Sequence, residues 1–234
     1  MAQMIEAELG LPAFVENDVN LAALGEHRYG AGKGTRHFVA LLVGTGIGAG
    51  IIIDGELFRG ARDAAGEIGY LIVERANLSG TYPGLRHFEQ IAGGHGIATE
   101  MRKHLAANES AAADRWPADR SRITAREVFA FANDDPFAAE LVNRAIDYLA
   151  IAVANIACLF NPERIVIGGG VATGNPRMIP DISERLAGRI PDLPEIVPAE
   201  LGDSAVLVGA VALARERTSG YAFVETVEAG DRAR

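Results

Sequence analysis

Two short segments near the start of the chain contain residue types suited to phosphoryl transfer. Glu16-Asn17-Asp18 places carboxylates beside an amide, and the segment from Gly44 to Gly50 has a glycine at every second position. A carboxylate can accept the proton of a substrate hydroxyl, and an amide can both donate to and accept from one. A backbone without side chains lets an anion approach its N–H groups. The two segments indicate a site where a hydroxyl group meets a phosphate.

Each segment also has a purely structural interpretation. Asn17 or Asp18 could cap the helix that the sequence predicts after them, and taken alone the motif favours the cap. The glycine ribbon could be a tight hairpin or a bulge. Four alternating glycines weaken a strand, however, because glycine loses more conformational freedom on folding than any other residue. We therefore favour a phosphate cradle made of backbone N–H groups and Thr45.

Three further features could contact a ligand. Gly168-Gly169-Gly170 follows a predicted strand and permits the approach of a flat ligand such as adenine, although a flexible strand-to-helix turn explains it equally well. Glu67 lies between small residues, and Glu89 lies in a half-apolar segment. Carboxylates bind vicinal sugar hydroxyls well, but single glutamates are usually solvated surface residues.

The composition indicates a soluble, cytoplasmic protein. Of 234 residues, 49% are apolar and 23% charged, and the net charge of −9 argues against binding of nucleic acid by this chain. Cys158 is the only cysteine, so no internal disulfide can form, and its apolar neighbours predict a buried, inert thiol. The longest apolar stretch, Tyr148 to Phe160, is too short to span a membrane. We expect no membrane contact.

Alternating strands and helices predict an α/β architecture around these segments. Gly30 to Thr35 resembles a P-loop but lacks its spacing, so we predict an ordinary loop there. The other predicted elements are a helix remnant at Met1–Leu9, a short buried strand at Ala13–Val15, helices at Val19–Tyr29, Thr124–Phe131, Ala138–Phe160 and Ala205–Arg215, strands at Phe38–Val43, Ile51–Ile53 and Arg164–Ile167, and a hairpin through Asp54-Gly55 to Glu56–Phe58.

The order of these motifs resembles the ROK family, named for repressors, open reading frames and kinases. The resemblance runs from about Leu11 to Arg215. The motifs that carry it are Val15 to Glu26, Gly44 to Gly50, Asp54-Gly55, Ala65 to Gly69, and Asn161-Pro162-Glu163 leading to the three glycines. As a set they are highly specific.

The resemblance implies an actin-like ATPase (ribonuclease H-like) fold, mainly the C-terminal lobe with an incomplete N-terminal lobe. It divides the chain into a remnant of the first lobe at 1–20, the second lobe at 21–204, a helix returning toward the first lobe at 205–217, and a frayed tail at 218–234. By the same resemblance Asp18 is the catalytic base that takes the proton of the attacking sugar hydroxyl. The ligand contacts that it implies are Asn17, Glu67 and Glu89 for sugar, Gly44, Thr45 and Gly46 for phosphate, and Gly168, Gly169 and Gly170 for adenosine.

The chain departs from the family in two places. The family's Asp-x-Gly-x-Thr loop, which holds ATP phosphates and magnesium, does not occur in these 234 residues. Phosphoryl transfer depends on positioning and charge neutralisation, so we expect no sugar-dependent ADP release from the chain as given. Tyr70 replaces the family's zinc-binding histidine, and the three cysteine positions fall on Gly80, Tyr82 and His87. We therefore predict no structural zinc, with Tyr70 contacting sugar.

Three functions fit these observations. Tyr70 and the run from Asn17 to Leu21 are more typical of the repressor-type members, which favours the sugar-recognising domain of a transcriptional regulator. The alternative is an ATP-dependent kinase of a hexose or an N-acyl-hexosamine, with magnesium. A remnant without any ligand is the third. The apolar surface of Ala13–Val15 and of the helix from Ala205 needs a cover, so we also expect a homodimer or larger assembly.

Overall fold

The computed structural model describes residues 1–79, 87–107 and 115–218. The expected frayed tail lies outside these residues from position 219 onward. The strands are β1 Phe38–Val43, β2 Ile47–Ile53, β3 Glu56–Leu57, β4 Arg164–Gly168 and β5 Glu195–Pro198. The helices are α1 Ala2–Leu9, α2 Asp18–Tyr29, α3 Phe88–Ala92, α4 Gly94–Ala107, α5 Ala125–Ala130, α6 Pro136–Phe160, α7 Gly170–Thr173, α8 Met178–Leu186 and α9 Ala205–Arg217, with 3-10 turns at Ile68–Tyr70, Arg75–Ser79, Arg120–Arg122 and Gly202–Ser204.

One mixed sheet forms the centre of the fold, with the strand order β3-β2-β1-β4-β5. The hairpin prediction is confirmed, because β2 and β3 are antiparallel and Asp54-Gly55 turns between them with φ of 54° and 82°. Strand β1 pairs parallel to β4. The carboxyl ends of parallel strands meet at one edge, so the loop after Val43 and the loop after Gly168 are neighbours. A Cβ on Gly169 would lie only 2.6 Å from the Val43 carbonyl oxygen.

Glycines let helix α2 lie close against strand β2. A Cβ on Gly48 would come within 2.9 Å of Val19 Cγ2, and one on Gly50 would collide with the Ala23 Cβ. This half of the ribbon therefore has a packing role that the phosphate interpretation did not foresee. Gly44 differs, because a Cβ there would meet nothing within 4 Å.

Helix α2 is held from its other side by helix α9. A Cβ on Gly25 would collide with the carbonyl oxygen of Ala205, and one on Gly209 would collide with that of Leu21. The outer face of α9 stays exposed, with Leu207 at 69% and Val211 at 52%. The helix that was predicted from Ala205 is confirmed, and the apolar side chains on its outer face are exposed.

Helix α6 runs through the larger part of the hydrophobic core. Asp135 caps it by accepting from the Phe137 and Ala138 N–H groups at 2.9 and 3.1 Å, and Trp116 Nε1 donates to the same carboxylate at 3.1 Å. Within the described residues α6 is the one helix long and apolar enough to cross a membrane by length and composition. Half of its apolar window is buried inside the protein.

Two local predictions are wrong. Ala13–Val15 forms no strand, and Phe14 and Val15 are 42% and 59% exposed. None of the described strands lies beside this segment, and the Ala13 N–H donates instead to Glu6 Oε1 at 3.1 Å. Cys158 is exposed rather than buried, because it lies on the face of α6 that points away from the core.

The loop from Gly30 to Thr35, which resembles a P-loop, has a structural role. Glu26 is fully buried near the end of α2, and its carboxylate accepts from the N–H groups of Ala31 at 2.9 Å, Glu200 at 3.2 Å and Leu201 at 2.8 Å. A Cβ on Gly30 would collide with this carboxylate. The glycines thus make room for Glu26, which ties the end of α2 to the chain after β5.

Replacing Glu26 by alanine should destabilise the fold strongly. The change leaves three N–H groups, one buried and two half-buried, without their acceptor, at about 1–3 kcal/mol each. We expect a loss of at least about 3 kcal/mol in the free energy of unfolding, measured by urea denaturation. Glu8→Ala on the exposed face of α1 is the control and should change it by less than about 0.5 kcal/mol. Equal effects of the two variants would contradict this role.

His27 should make stability depend on pH. Its Nε2 lies 2.7 Å from the Thr35 carbonyl oxygen, and burial lowers its pKa below the ordinary 6.5. As pH falls through 6.5 the unfolded chain binds the proton first, so the stability present at higher pH is lost. Between pH 8 and 5.5, His27→Gln should lose less stability than the wild type in urea melts. His37→Gln, at a half-exposed histidine, is the comparison variant, and a loss in His27→Gln equal to that of the wild type would contradict this role.

Candidate functional site

Two cavities meet at the edge of the sheet where β1 and β4 end. We call the first, of about 460 Å³, the carboxylate cavity; it is lined by Asn17, Asp18, Val19, Leu42, Gly44–Ala49, Ala65–Glu67, Glu89 and Gly169. The second, of about 540 Å³, is the arginine cavity; it is lined by Gly44, Thr45, Gly94, His95, Ala98, Arg102, Thr124–Arg126, Gly170, Val171, Gly174 and Asn175. Gly44 and Thr45 belong to both, so they form the ridge between the cavities.

Most of the predicted site residues line one of these cavities. Tyr70 and Gly168 do not. Tyr70 is 47% exposed, and its ring contacts the ring of His87 edge-on at 5.5 Å. Gly168 is buried beside Leu42 and Ala199, where a Cβ would approach both side chains. The sugar contact assigned to Tyr70 and the nucleotide contact assigned to Gly168 therefore lack support from the geometry.

The start of helix α2 presents Asn17 and Asp18 to the carboxylate cavity. Asn17 is the helix cap, because its Oδ1 accepts from the N–H groups of Val19 at 2.8 Å and Asn20 at 3.2 Å. The capping interpretation is thus correct for Asn17, and its NH₂ group is the part that can reach a ligand. Asp18 is exposed, and its Oδ1 accepts from the Val19 N–H at 2.9 Å. Its second oxygen makes no hydrogen bond among the described residues.

Glu16 supports this segment from behind. Its carboxylate accepts from Asn20 Nδ2 at 2.9 Å, from the Asn17 N–H at 3.1 Å and from Arg59 Nε at 2.6 Å. Burial pushes the pKa of Glu16 upward, but the hydrogen bonds from Asn20 and Arg59 outweigh it and hold the pKa below its usual value. Glu16 is therefore an ionised carboxylate at neutral pH. The sequence motif contained Glu16 but gave no sign of its partner.

Glu89 lies between the glycine ribbon and the turn after Glu67. Its Oε2 accepts from the Ile47 N–H at 3.4 Å. A Cβ on Gly46 would lie 2.6 Å from this oxygen, and one on Gly69 would lie 3.0 Å from it. Both glycines therefore make room for the carboxylate. Glu89 touches the backbone of the loop that a phosphate would approach.

Glu67 is placed by the glycine before it. Gly66 has a φ of 90°, and its carbonyl accepts from the Ala49 N–H at 2.8 Å. A Cβ on Gly66 would collide with the Ala49 carbonyl oxygen, so only glycine fits against β2 here. Glu67 follows as an exposed carboxylate in the lining of the carboxylate cavity. Asp18, Glu67 and Glu89 thus give this cavity a strongly acidic lining.

Helix α4 fixes the ridge between the cavities. The N–H groups of Gly94 and His95 donate to the carbonyl oxygens of Gly44 and Thr45, both at 2.9 Å. A Cβ on Gly94 would lie 2.8 Å from the Gly44 oxygen. The helix therefore holds these carbonyl groups.

Several lining residues of the arginine cavity were missed by sequence reasoning. Thr124 and Glu127 form a capping box at the start of the predicted helix α5, but the sequence gave no sign that this end of α5 lines a cavity. Arg102 donates through Nε to the Ile123 carbonyl at 3.1 Å, and Arg126 is exposed at the rim. A sequence pattern at helical spacing cannot report which cavity such residues face.

No group of three or more histidine, cysteine, aspartate or glutamate side chains that could hold a metal occurs within residues 1–79, 87–107 and 115–218. Gly80 and Tyr82, two of the positions assigned to the missing zinc cysteines, lie outside those residues. His87 is buried, with Nδ1 3.1 Å from the Tyr70 carbonyl oxygen. The absence of structural zinc stays a prediction.

Comparison with known proteins shows the fold and the family. A crystal structure of a ROK family glucokinase from Streptomyces griseus, in complex with glucose and AMPPNP, superposes with a TM-score of 0.76 at 30% identity over 92% of this chain and 72% of that one. The fold is the actin-like ATPase fold. A ROK family transcriptional regulator, a homologue of the E. coli MLC protein, superposes with a TM-score of 0.74 at 25% identity over 89% of this chain and 53% of that one.

Sequence relatives agree with the structural ones. The glucokinase of Halalkalibacterium halodurans is 33% identical over 211 residues, which cover 88% of this chain and 64% of that enzyme. The chain spans about half to two thirds of the length of the first curated relatives that it matches, 50% of one and 64% of another. The expectation of a closer likeness to repressor-type members gains no support, because sugar kinases predominate among these relatives. The ROK family model matches residues 1–217, and the chain belongs to the ROK family.

Proposed function

We propose that this chain carries the sugar-binding and nucleotide-binding part of an ATP-dependent kinase of a hexose or an N-acyl-hexosamine. The observation that carries the proposal is the ridge of Gly44 and Thr45, which lines both cavities. A nucleotide in the arginine cavity and a sugar in the carboxylate cavity would meet at this ridge, where a phosphate could pass from one to the other.

Each wall of the carboxylate cavity has a proposed role. Asp18 is the general base that takes the proton of the attacking hydroxyl, and its Oδ2 is available for that proton. Asn17 donates hydrogen bonds to the sugar through its NH₂ group, and Glu67 and Glu89 accept hydrogen bonds from vicinal hydroxyls of the sugar. The likeness to the two glucokinases named above supports this assignment.

The arginine cavity suits ATP, since no atom lies within 4 Å of a Cβ built on Gly44 or Gly170. A nucleotide can therefore approach the backbone at both positions. ATP with magnesium would supply the transferable phosphoryl group. Gly44, Thr45 and Gly46 would hold its phosphates, while Gly170 would face the adenosine. Gly169 lines the carboxylate cavity instead. The residues of this chain orient the two substrates and accept the proton.

The sugar-recognising domain of a ROK transcriptional regulator is the second candidate. Its support is the likeness to the regulator structure. Either function would place the protein in the cytoplasm. For both we propose a homodimer that covers the exposed apolar face of α9, and no DNA contact through this chain.

Binding measurements separate the two candidates. By calorimetry, we expect the chain to bind D-glucose or N-acetylmannosamine and also to bind AMPPNP. Glu67→Ala should weaken sugar binding at least about tenfold, because a charge-assisted contact is worth about 1.5–3 kcal/mol. Glu140→Ala, on helix α6 outside both cavities, is the control. Sugar binding without nucleotide binding would favour the regulator. Binding of neither ligand would favour the third interpretation, a remnant that binds no ligand.

Asp18 should matter for turnover and hardly for sugar affinity. Asp18→Asn keeps the side-chain shape but cannot accept the proton, and general bases typically contribute about 10²–10⁴-fold. Any sugar-dependent ADP release by the chain should therefore fall at least about 100-fold, with a sugar Kd within about threefold of wild type. The exposed Asp192→Asn should change neither quantity. Turnover that survives Asp18→Asn would contradict the assignment of the base.

The chain should hold no structural zinc. None of the four residues at the zinc positions, Tyr70, Gly80, Tyr82 and His87, is the family's ligand there, and His87 alone cannot form a tetrahedral site. Metal analysis after dialysis should give clearly less than one zinc per chain. Treatment with a chelator should leave the melting temperature unchanged. One tightly bound zinc per chain would show that other side chains complete a site.

A further inference from the structure

We propose that Arg59 is a positioning residue that holds two walls of the carboxylate cavity at a fixed separation. One wall carries Asn17 and Asp18, and the other carries Glu67. The functional part of this inference rests on the proposed function, in which the cavity takes a sugar. The structural part does not, so the two can be tested separately.

The side chain of Arg59 reaches the first wall through Glu16. Arg59 Nε donates to Glu16 Oε2 at 2.6 Å, and the two side chains are only 25% and 7% exposed. The other carboxylate oxygen, Glu16 Oε1, accepts from the Asn17 N–H at 3.1 Å and from Asn20 Nδ2 at 2.9 Å. Asn20 is itself 2% exposed. The guanidinium thus fixes, through one carboxylate, the backbone directly before Asp18.

The main chain of Arg59 reaches the second wall. Its carbonyl oxygen accepts from the Ala65 N–H at 2.9 Å, which closes the loop at 60–64. Ala65 lines the carboxylate cavity, and Gly66 after it is bonded to β2 through Ala49. Glu67 follows directly. One residue therefore contacts both walls, with its side chain on one side and its backbone on the other.

Arginine suits this position for a geometric reason. Its planar guanidinium directs several N–H groups at once, and here Nη1 also lies 3.4 Å from the Leu57 carbonyl at the end of β3. A lysine would present one flexible point charge instead. Arg59 also balances the negative charge of Glu16, which lies beside a cavity lined by Asp18, Glu67 and Glu89.

The first experiment measures sugar binding in variants of the pair. Arg59→Met should raise the Kd for D-glucose or N-acetylmannosamine, whichever the wild type binds, at least about tenfold, and Arg59→Lys should raise it by an intermediate factor. Arg36→Met is the matched control, because Arg36 makes a 2.6 Å ion pair with Asp54 at side-chain exposures of 74% and 62%. That control should stay within about twofold. Wild-type affinity in both Arg59 variants would overturn the proposal.

A double-mutant cycle separates positioning from general stabilisation. If Arg59 acts through the two walls, Arg59→Met should have a smaller effect on sugar affinity in an Asn17→Ala or a Glu67→Ala background than in the wild type. A merely structural role would multiply the Kd by the same factor in every background. Equal factors would therefore overturn the proposal.

Amide hydrogen exchange tests the structural part without a ligand. Arg59→Lys, which retains the charge, should speed exchange at the Asn17 and Ala65 N–H groups. The Ala31 N–H, held by Glu26, is the internal control and should stay unchanged. Unchanged exchange at Asn17 or Ala65, or faster exchange at all three, would overturn the role of Arg59. If the wild type binds neither sugar, the proposed function fails, and the exchange result still decides this inference.

Discussion

The close contact between helix α2 and strand β2 is the constraint on which the site depends. Gly48 faces Val19 and Gly50 faces Ala23, and a methyl group at either glycine would push the helix outward. The helix begins at Asp18, and the ribbon begins at Gly44. The distance between the carboxylate at the helix start and the backbone of the glycine loop is therefore set by packing further along both elements, because the interior of a protein is too dense to absorb an added side chain.

Helix α2 also connects this site to the rest of the fold. Glu26 near its end accepts three N–H groups from two loops, and Glu16 before its start is bonded to Arg59. Both carboxylates are buried, and both oxygens of each accept hydrogen bonds. Each carboxylate therefore holds neighbouring backbone in place and is not available as a reactive group. Of the acidic residues that remain exposed to ligand, Asp18 lies two positions after Glu16, and Glu67 lies two positions after Ala65, whose N–H donates to the Arg59 carbonyl.

The sequence was sufficient for the hairpin, for helices α2 and α6, and for bringing Asp18, Glu89 and the glycine loop into one cavity, because periodicity, turn residues and family motifs are local signals. It was insufficient where the outcome depends on distant neighbours. Ala13–Val15 has strand-forming residues but no described strand beside it. Cys158 has apolar neighbours in sequence but lies on the outer face of α6. The role of Arg59 needs Glu16, 43 positions away, which no spacing rule links to it.

The crossing of α2 and α9 brings backbone against backbone at Gly25 and Gly209, with no side chain between them. Side chains yield by changing rotamer, whereas two stiff backbones in contact transmit a push almost unchanged. Gly25 lies seven residues from Asp18, about 10 Å along the helix axis. Because Gly25 and Asp18 belong to the same helix, the position of the Asp18 carboxylate relative to α9 depends on this backbone contact.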